Sequence, residues 1–279
     1  MGDTTTVPDF EEDSARAAES FAELDEVLWN PISTAAVSRS HPRFDERVLD
    51  AWCGDGASAL PTAELVGTGG LVDAVDLAEP LIEIARERAG ERMPQLHLHV
   101  ADVTTWEPAE YDLVQCVLGL SMFPDLEADT RRLIERARPG GRVSITAWAR
   151  GAIEPLPQVL AEALPEGGSR NRKKPKRPKK PPQPPKPKIE VADTAGTLAH
   201  WMTELGLVGV RAEAVQRHVD LEPDLAWQLV RGTRLRAVLA DIEEAELDTV
   251  RERYLAALAE REVTSIDATT LIAVGHRPE

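Results

Sequence analysis

Short apolar runs bounded by turn residues alternate along this chain with stretches whose apolar positions recur every three or four residues. Ser14 to Trp29 carries the helical spacing and predicts an N-terminal helix. After a loop holding Pro31 and Pro42, Arg47 to Ala51 reads as a short buried strand running into a glycine-bearing turn, then a helix over Ala57 to Val66. The alternation repeats with Leu71 to Asp76 as strand, Glu79 to Ala89 as a helix stopped by Gly90, and Leu96 to Val100 and Tyr111 to Val117 as strands. Leu126 to Ala137 follows as a helix closed by Pro139-Gly140-Gly141, and Arg142 to Trp148 as a fifth strand. Strands separated by helices imply right-handed crossovers and a mainly parallel sheet.

Beyond Arg150 the spacing loosens. A short helix around Leu156 to Leu164 is followed by residues 170 to 188, which hold ten Lys or Arg, seven Pro and no acid. That composition cannot form a packed core and predicts an extended, solvated insert. Order resumes with a capped helix from Asp193 to Leu205, a strand from Leu207 to Val215, polar helices between Pro223 and Arg261, and a last strand from Ala268 to Gly275. The expected architecture is α/β, a doubly wound, mainly parallel seven-stranded sheet with a helical cap. It divides into an N-terminal cap (1–45), a ligand-binding core (46–165), the basic insert (166–190) and a segment completing sheet and cap (191–279).

Charge changes the picture more than composition does. The net charge is −16, but ten of the 32 basic residues lie in the insert, so the rest of the chain sets 22 against 48 acidic residues, a balance of −26. An acidic body repels phosphates and counts against a nucleic-acid substrate unless the insert alone does the binding. No apolar run approaches the roughly 18 residues of a membrane helix, and Met1 to Pro8 lacks the basic start and apolar stretch of a secretory signal. Two cysteines, Cys53 and Cys116, both in apolar segments, suit a reducing cytoplasm better than a disulfide framework.

The most informative motif is Val48-Leu49-Asp50-Ala51-Trp52-Cys53-Gly54-Asp55-Gly56, a strand passing into a glycine turn and a helix, where backbone can approach a ligand. Asp76, twenty residues past Gly56, ends the second strand, where a carboxylate can take both hydroxyls of a ribose. Dinucleotide sites need G-x-G-x-x-G so that a pyrophosphate can sit on the turn. Here Asp50 and Asp55 would repel a diphosphate but attract a cationic amino acid and sulfonium, so the charges favour S-adenosylmethionine over NAD. Taken singly, such aspartates are ordinary caps and turn acids; their joint placement is what argues for a site.

With these motifs in order, the chain resembles the class I S-adenosylmethionine-dependent methyltransferases over about residues 45 to 150, particularly the small-molecule branch that includes the ubiquinone and menaquinone C-methyltransferases. The resemblance sets Asp50, Gly54 and Gly56 at the acid and last two glycines of the first motif. It sets Asp76 at the ribose-binding acid with Leu77 beside the adenine. Asp102, in Val100-Ala-Asp-Val103, stands where the family's third motif receives the adenine amino group. Tyr111 to Asp125 resembles the fourth motif, with Cys116 to Leu118 along the methionine, and Arg138 to Ile145 resembles the turn into strand five. Trp52 replaces the first glycine of the motif. Its ring is expected to tilt away and pack on the sheet edge, the alternative being that it partly fills the pocket.

The implied reaction is in-line transfer of a methyl group to a small-molecule acceptor, in which a base is optional. His218, just after the sixth strand, is the candidate base; His41, before the first, reads as a loop histidine. Trp148, at the end of strand five, is expected to wall the acceptor site, and Arg150 to be a solvated charge. His97 and His99 face one side of a strand; with no third ligand near, they read as packing or surface residues and no metal is expected. A nucleic-acid or protein methyltransferase guided by the insert, a non-methylating relative using the same crevice, and a binding protein with a dead pocket stay open.

Overall fold

The computed structural model describes residues 10–165, 192–240 and 242–279. The predicted insert (166–190) therefore lies wholly outside the described residues, as does the start of the chain. Helix α1 (Phe10–Ala22) leads into a π-helical turn (Asp25–Trp29) and then α2 (Asn30–Ser40). The loop expected around Pro31 is a helix in the structure. Pro31 instead occupies the first turn of α2, where a missing N–H costs no hydrogen bond. The helix ends at His41 in the left-handed region (φ 50°), just before Pro42.

Among the described residues, nine strands and seven further helices follow. Strands β1 (Arg47–Ala51), β2 (Leu71–Asp76), β3 (Leu96–Val100), β4 (Tyr111–Val117) and β5 (Ala137–Trp148) are joined through α3 (Ala59–Val66), α4 (Glu79–Ala89) and α5 (Leu126–Ile134). Next come α6 (Leu156–Ala163), α7 (Ala195–Glu204), β6 (Val208–Val215), β7 (His218–Asp220), α8 (Pro223–Gly232), α9 (Glu244–Glu260), β8 (Ser265–Asp267) and β9 (Thr270–His276). The seven-stranded sheet has the order β3-β2-β1-β4-β5-β9-β6, with β9 antiparallel to both its neighbours and the rest parallel. β7 and β8 form a separate antiparallel pair that the sequence pattern did not suggest.

The strand order reverses between β1 and β4, the place beyond whose carboxyl ends open α/β sheets take their ligands. Both strands are buried on two faces, which is why Val48 to Ala51 and Leu113 to Cys116 are nearly unbroken apolar runs. One face packs Leu49, Val114, Val143 and Ile145 against Leu133, Leu198 and Met202; the other packs Val48, Val72 and Leu113 against Ala63, Val66 and Ile82. A third cluster forms the cap, where Leu24, Leu28, Leu156, Leu160, Leu229, Val230 and Tyr254 meet. The predicted helix end near Ala137 is also corrected. α5 stops at Ile134, and Pro139 to Gly141 lie inside an irregular β5, where a Cβ on Gly141 would stand 2.9 Å from the Tyr111 carbonyl.

Candidate functional site

Where β1 ends, the chain turns through Trp52 (φ 58°), Gly54 (φ 56°) and Gly56 (φ 88°). Gly56 is required twice over, because its φ disfavours a side chain and a Cβ would stand 2.2 Å from Leu60 Cδ1 and 3.2 Å from Ala85 Cβ. The turn is tied to the end of β2. Gly54 N–H donates to Asp76 Oδ2 at 3.0 Å, and Ala78 N–H to Asp76 Oδ1 at 2.9 Å. Each carboxylate oxygen retains a second acceptor site, so these bonds leave Asp76 able to take further hydroxyl donors.

Three carboxylates are buried around this turn. Asp50 is fully enclosed: its Oδ2 accepts from Ser58 Oγ at 2.7 Å, while Oδ1 has no partner among the described residues. Burial pushes its pKa up to about 7 despite Ser58 and Gln115, which favour the charged form. Asp55 is pushed up to about 6, again by burial, although Arg88 Nη1 stands 2.8 Å from its Oδ2. Burial also raises Asp76, opposed by the N–H groups of Ala78 and Gly54. Negative charge enclosed with so little compensation favours a cation at the turn. Burial likewise raises both thiols, Cys116 to about 12, so neither cysteine is a ready nucleophile.

Beyond β3, Asp102 caps a 3₁₀ turn, its Oδ1 accepting from Thr104 N–H at 2.8 Å and Thr104 Oγ1 at 2.7 Å. Its Oδ2 keeps no such partner among the described residues. Val103 is buried beside it, and Leu77 stands exposed past the end of β2. Beyond β4, Leu118 takes a left-handed conformation and opens a 3₁₀ turn over Gly119–Met122.

Trp52 and Gly119 fit each other. A Cβ on Gly119 would lie 2.7 Å from Trp52 Cβ and 2.9 Å from Cys116 Sγ, so the side chain gained at position 52 occupies the room left at 119. The indole also meets Phe123 edge-on at 6.2 Å, and its buried Nε1 has no hydrogen-bond partner among the described residues. The ring thus packs between the carboxyl ends of β1 and β4, inside the crevice rim rather than at the outer edge of the sheet.

The cap reaches this turn directly. Phe21 Cζ lies 3.3 Å from where a Gly54 Cβ would stand, and the Phe21 ring stacks on Trp29 at 4.6 Å. Arg88 pairs with Asp55 and, at 3.3 Å, with Asp25 of the π-helical turn. None of Phe21, Asp25, Arg88, Ser58 or Gly119 was singled out from the sequence; only Gly119, following a strand opposite the bulky Trp52, carried a usable signal.

The structure gathers Asp50, Trp52, Gly54, Gly56, Asp76, Asp102, Cys116 and Leu118 along one edge of the sheet, as their strand-end positions require. Trp148 packs into the cap cluster with Leu118. His218 is exposed on β7, where it is Val219 that turns into that cluster. His41 does not approach the crevice; with Arg142 and His276 it borders a groove of about 890 Å³ at the amino ends of the strands. Arg150 is held by Asp193 through bonds of 2.7 and 2.9 Å rather than lying free. One premise of the reading of His97 and His99, that no third ligand lies near, is corrected: Asp73 stands beside them on β2.

Residues 48–141 match the family model of a methyltransferase domain. The chain is 32% identical over 164 residues to the aklanonic acid methyltransferase DauC of Streptomyces sp. (strain C5), covering 54% of this chain and 74% of that protein. It is 31% identical to the nocamycin O-methyltransferase of Saccharothrix syringae and 32% identical to a ubiquinone biosynthesis O-methyltransferase of Xylella fastidiosa (strain 9a5c). Those matches cover 45% and 43% of this chain and about half (49%) of each relative. In fold it resembles the YcgJ protein of Bacillus subtilis, with a TM-score of 0.56, 14% identity and coverage of 89% of this chain and 98% of that one. It also resembles Haemonchus contortus phosphoethanolamine N-methyltransferase 2, solved with S-adenosylmethionine, with a TM-score of 0.50, 17% identity and coverage of 88% and 52%. The sheet and its glycine turn define the class I S-adenosylmethionine-dependent methyltransferase fold. The chain belongs to this methyltransferase family.

Proposed function

We propose that the chain methylates an oxygen of a small, largely apolar acceptor, with S-adenosylmethionine held across the carboxyl ends of β1, β2 and β3. The observation that carries this reading is the group of enclosed carboxylates, Asp50, Asp55 and Asp76, around a turn with little positive charge of its own. Asp76 would take the ribose hydroxyls with Leu77 beside the adenine, and Asp102 Oδ2 with Val103 would meet the adenine amino edge. Turn residues Asp50, Trp52, Gly54 and Gly56, with Cys116 and Leu118, would line the methionine, where the unpartnered Trp52 Nε1–H and Asp50 Oδ1 await polar partners. When bound, S-adenosylmethionine supplies a methyl group on a sulfonium, which departs as a neutral thioether.

The chain's part is to orient and to exclude water. Leu118, Trp148 and the cap cluster offer the acceptor an apolar wall, and in-line positioning supplies most of the rate. His218 is the histidine beyond the carboxyl end of β5 that could accept a proton; an acceptor already ionised would not need it. The relatives named as nocamycin and ubiquinone biosynthesis O-methyltransferases support an oxygen acceptor, and the one named for aklanonic acid supports a small-molecule acceptor. Two unpaired, buried cysteines support a reducing cytoplasmic setting.

A screen with methyl-labelled S-adenosylmethionine over phenols, quinones and polyketide acids tests the reading. Labelled product extractable into organic solvent, and absent with Asp76→Ala, is expected. Cofactor binding without transfer to any of them would favour the non-methylating reading, and absence of cofactor binding would overturn both.

A further inference from the structure

On the sheet face away from α3, the side chains of Asp73 (β2), His97 and His99 (β3) converge. Asp73 is the register partner of His97, and His99 lies two residues on, so all three project from one face. His99 Nε2 stands 2.9 Å and His97 Nδ1 3.8 Å from the same oxygen, Asp73 Oδ1, and one donor atom from each residue falls within 4.8 Å of the others. A tetrahedral ion with ligand bonds of about 2.0–2.1 Å sets its donors roughly 3.3 Å apart. The observed separations bracket that value, so closing on an ion asks for small side-chain rotations and no backbone movement.

The surroundings are those of a held ligand set. Asp73 is buried, and its second oxygen accepts from Tyr111 Oη at 2.8 Å, which in turn accepts from Trp106 Nε1 at 3.0 Å. This chain fixes the carboxylate and leaves Oδ1 turned toward the imidazoles, the outer support that metal ligands commonly show. The Trp106 ring lies 4.8 Å from that of His99 and limits its rotation. A mere Asp–His contact accounts for His99 but not for His97, whose half-exposed ring points at the same oxygen from beyond hydrogen-bonding distance. We propose that Asp73, His97 and His99 bind a divalent transition-metal ion of the zinc class, with solvent at the open position beside His97. Two imidazoles and one carboxylate select such an ion over calcium or magnesium, which prefer oxygen donors. The ion would tie the edge strand β3 to β2, three residues before the Asp76 end.

Cobalt(II) reports the geometry directly. Titrating the metal-free full-length chain with cobalt(II) should give a one-to-one complex with the intense visible absorption of a four-coordinate site, displaced by zinc(II) and not by a large excess of magnesium(II). His97→Ala, at a half-exposed position, should weaken cobalt binding by roughly tenfold or more, and Tyr111→Phe by about tenfold through the freed carboxylate. The His97→Ala variant should melt like the parent in chelator, which separates loss of the site from loss of the fold. Absence of the absorption band, or a band of equal affinity in His97→Ala, would overturn the proposal.

Discussion

At the carboxyl edge of the sheet, three carboxylates lie buried around a turn of glycines, whereas the cap resting on that turn is held chiefly by aliphatic side chains. In the first region, Asp50, Asp55 and Asp76 all have raised pKa values because burial takes their charges out of water, more than their hydrogen bonds and Arg88 make good. In the second, Leu24, Leu28, Leu156, Leu160, Leu229 and Val230 are each at most 1% exposed, a burial worth about 1.5–3 kcal/mol per side chain. Buried carboxylates are thus gathered at the place where a cationic ligand would meet them, and the cap supplies mainly apolar contact. Arg88, bridging Asp55 to Asp25, is the point where the two regions share an ion pair.

Two glycines test this division, one from each region. Gly56→Val sets a β-branched residue at φ 88° with its Cβ already against Leu60 and Ala85, and should cost about 3 kcal/mol or more of stability. Cofactor affinity should fall with it. Denaturant unfolding with and without S-adenosylmethionine reads both effects, and a variant that still gained full cofactor stabilisation would show the turn to be dispensable. In the cap, Gly232 lets α8 lie on α1; a Cβ there would stand 2.2 Å from the Ser20 carbonyl oxygen, a backbone atom with little freedom to move. Gly232→Ala should lower stability by about 1–3 kcal/mol while changing cofactor affinity far less. Loss of binding with little loss of stability would place the cap inside the cofactor site and blur the contrast.

The smallest effect concerns pH. Asp50 holds its proton up to about pH 7 in the folded chain against 3.8 as an ordinary carboxyl. Between those values the folded state binds more protons than the unfolded one, so this residue makes stability fall as pH rises, with no further change above about 7. Asp50→Asn should remove that decline. Its stability relative to the parent should improve by on the order of 1 kcal/mol between about pH 5 and pH 8, measured by denaturant unfolding. An unchanged difference at the two pH values would mean that Asp50 is already paired.

The contrast also separates what the sequence disclosed from what it hid. Strands β1 to β5 and the acids at their ends were legible, because two-sided burial writes an apolar run and the crossover helices write a different period. The mainly parallel character of the sheet follows from the same alternation. The cap was less legible. α2 looked like a loop because Pro31 is a breaker only in a helix interior, and β7 with β8 are three residues each, too short for any period to register. Long-range pairings were hidden for a related reason: Arg88 with Asp25, Trp52 with Gly119, and Asp73 with His97 join residues 63, 67 and 24 positions apart. The pair on β2 and β3 was recoverable in principle once those strands were set side by side in register.

The most direct test is the titration of the full chain with S-adenosylmethionine beside its Asp76→Ala variant. The parent should bind one equivalent, and the variant, having lost acceptors for a ribose and the partner of Gly54, should bind about 1.5–3 kcal/mol more weakly, roughly ten- to a hundredfold. Equal affinities in two folded proteins, or no binding by the parent, would contradict the assignment of the cofactor to this edge of the sheet.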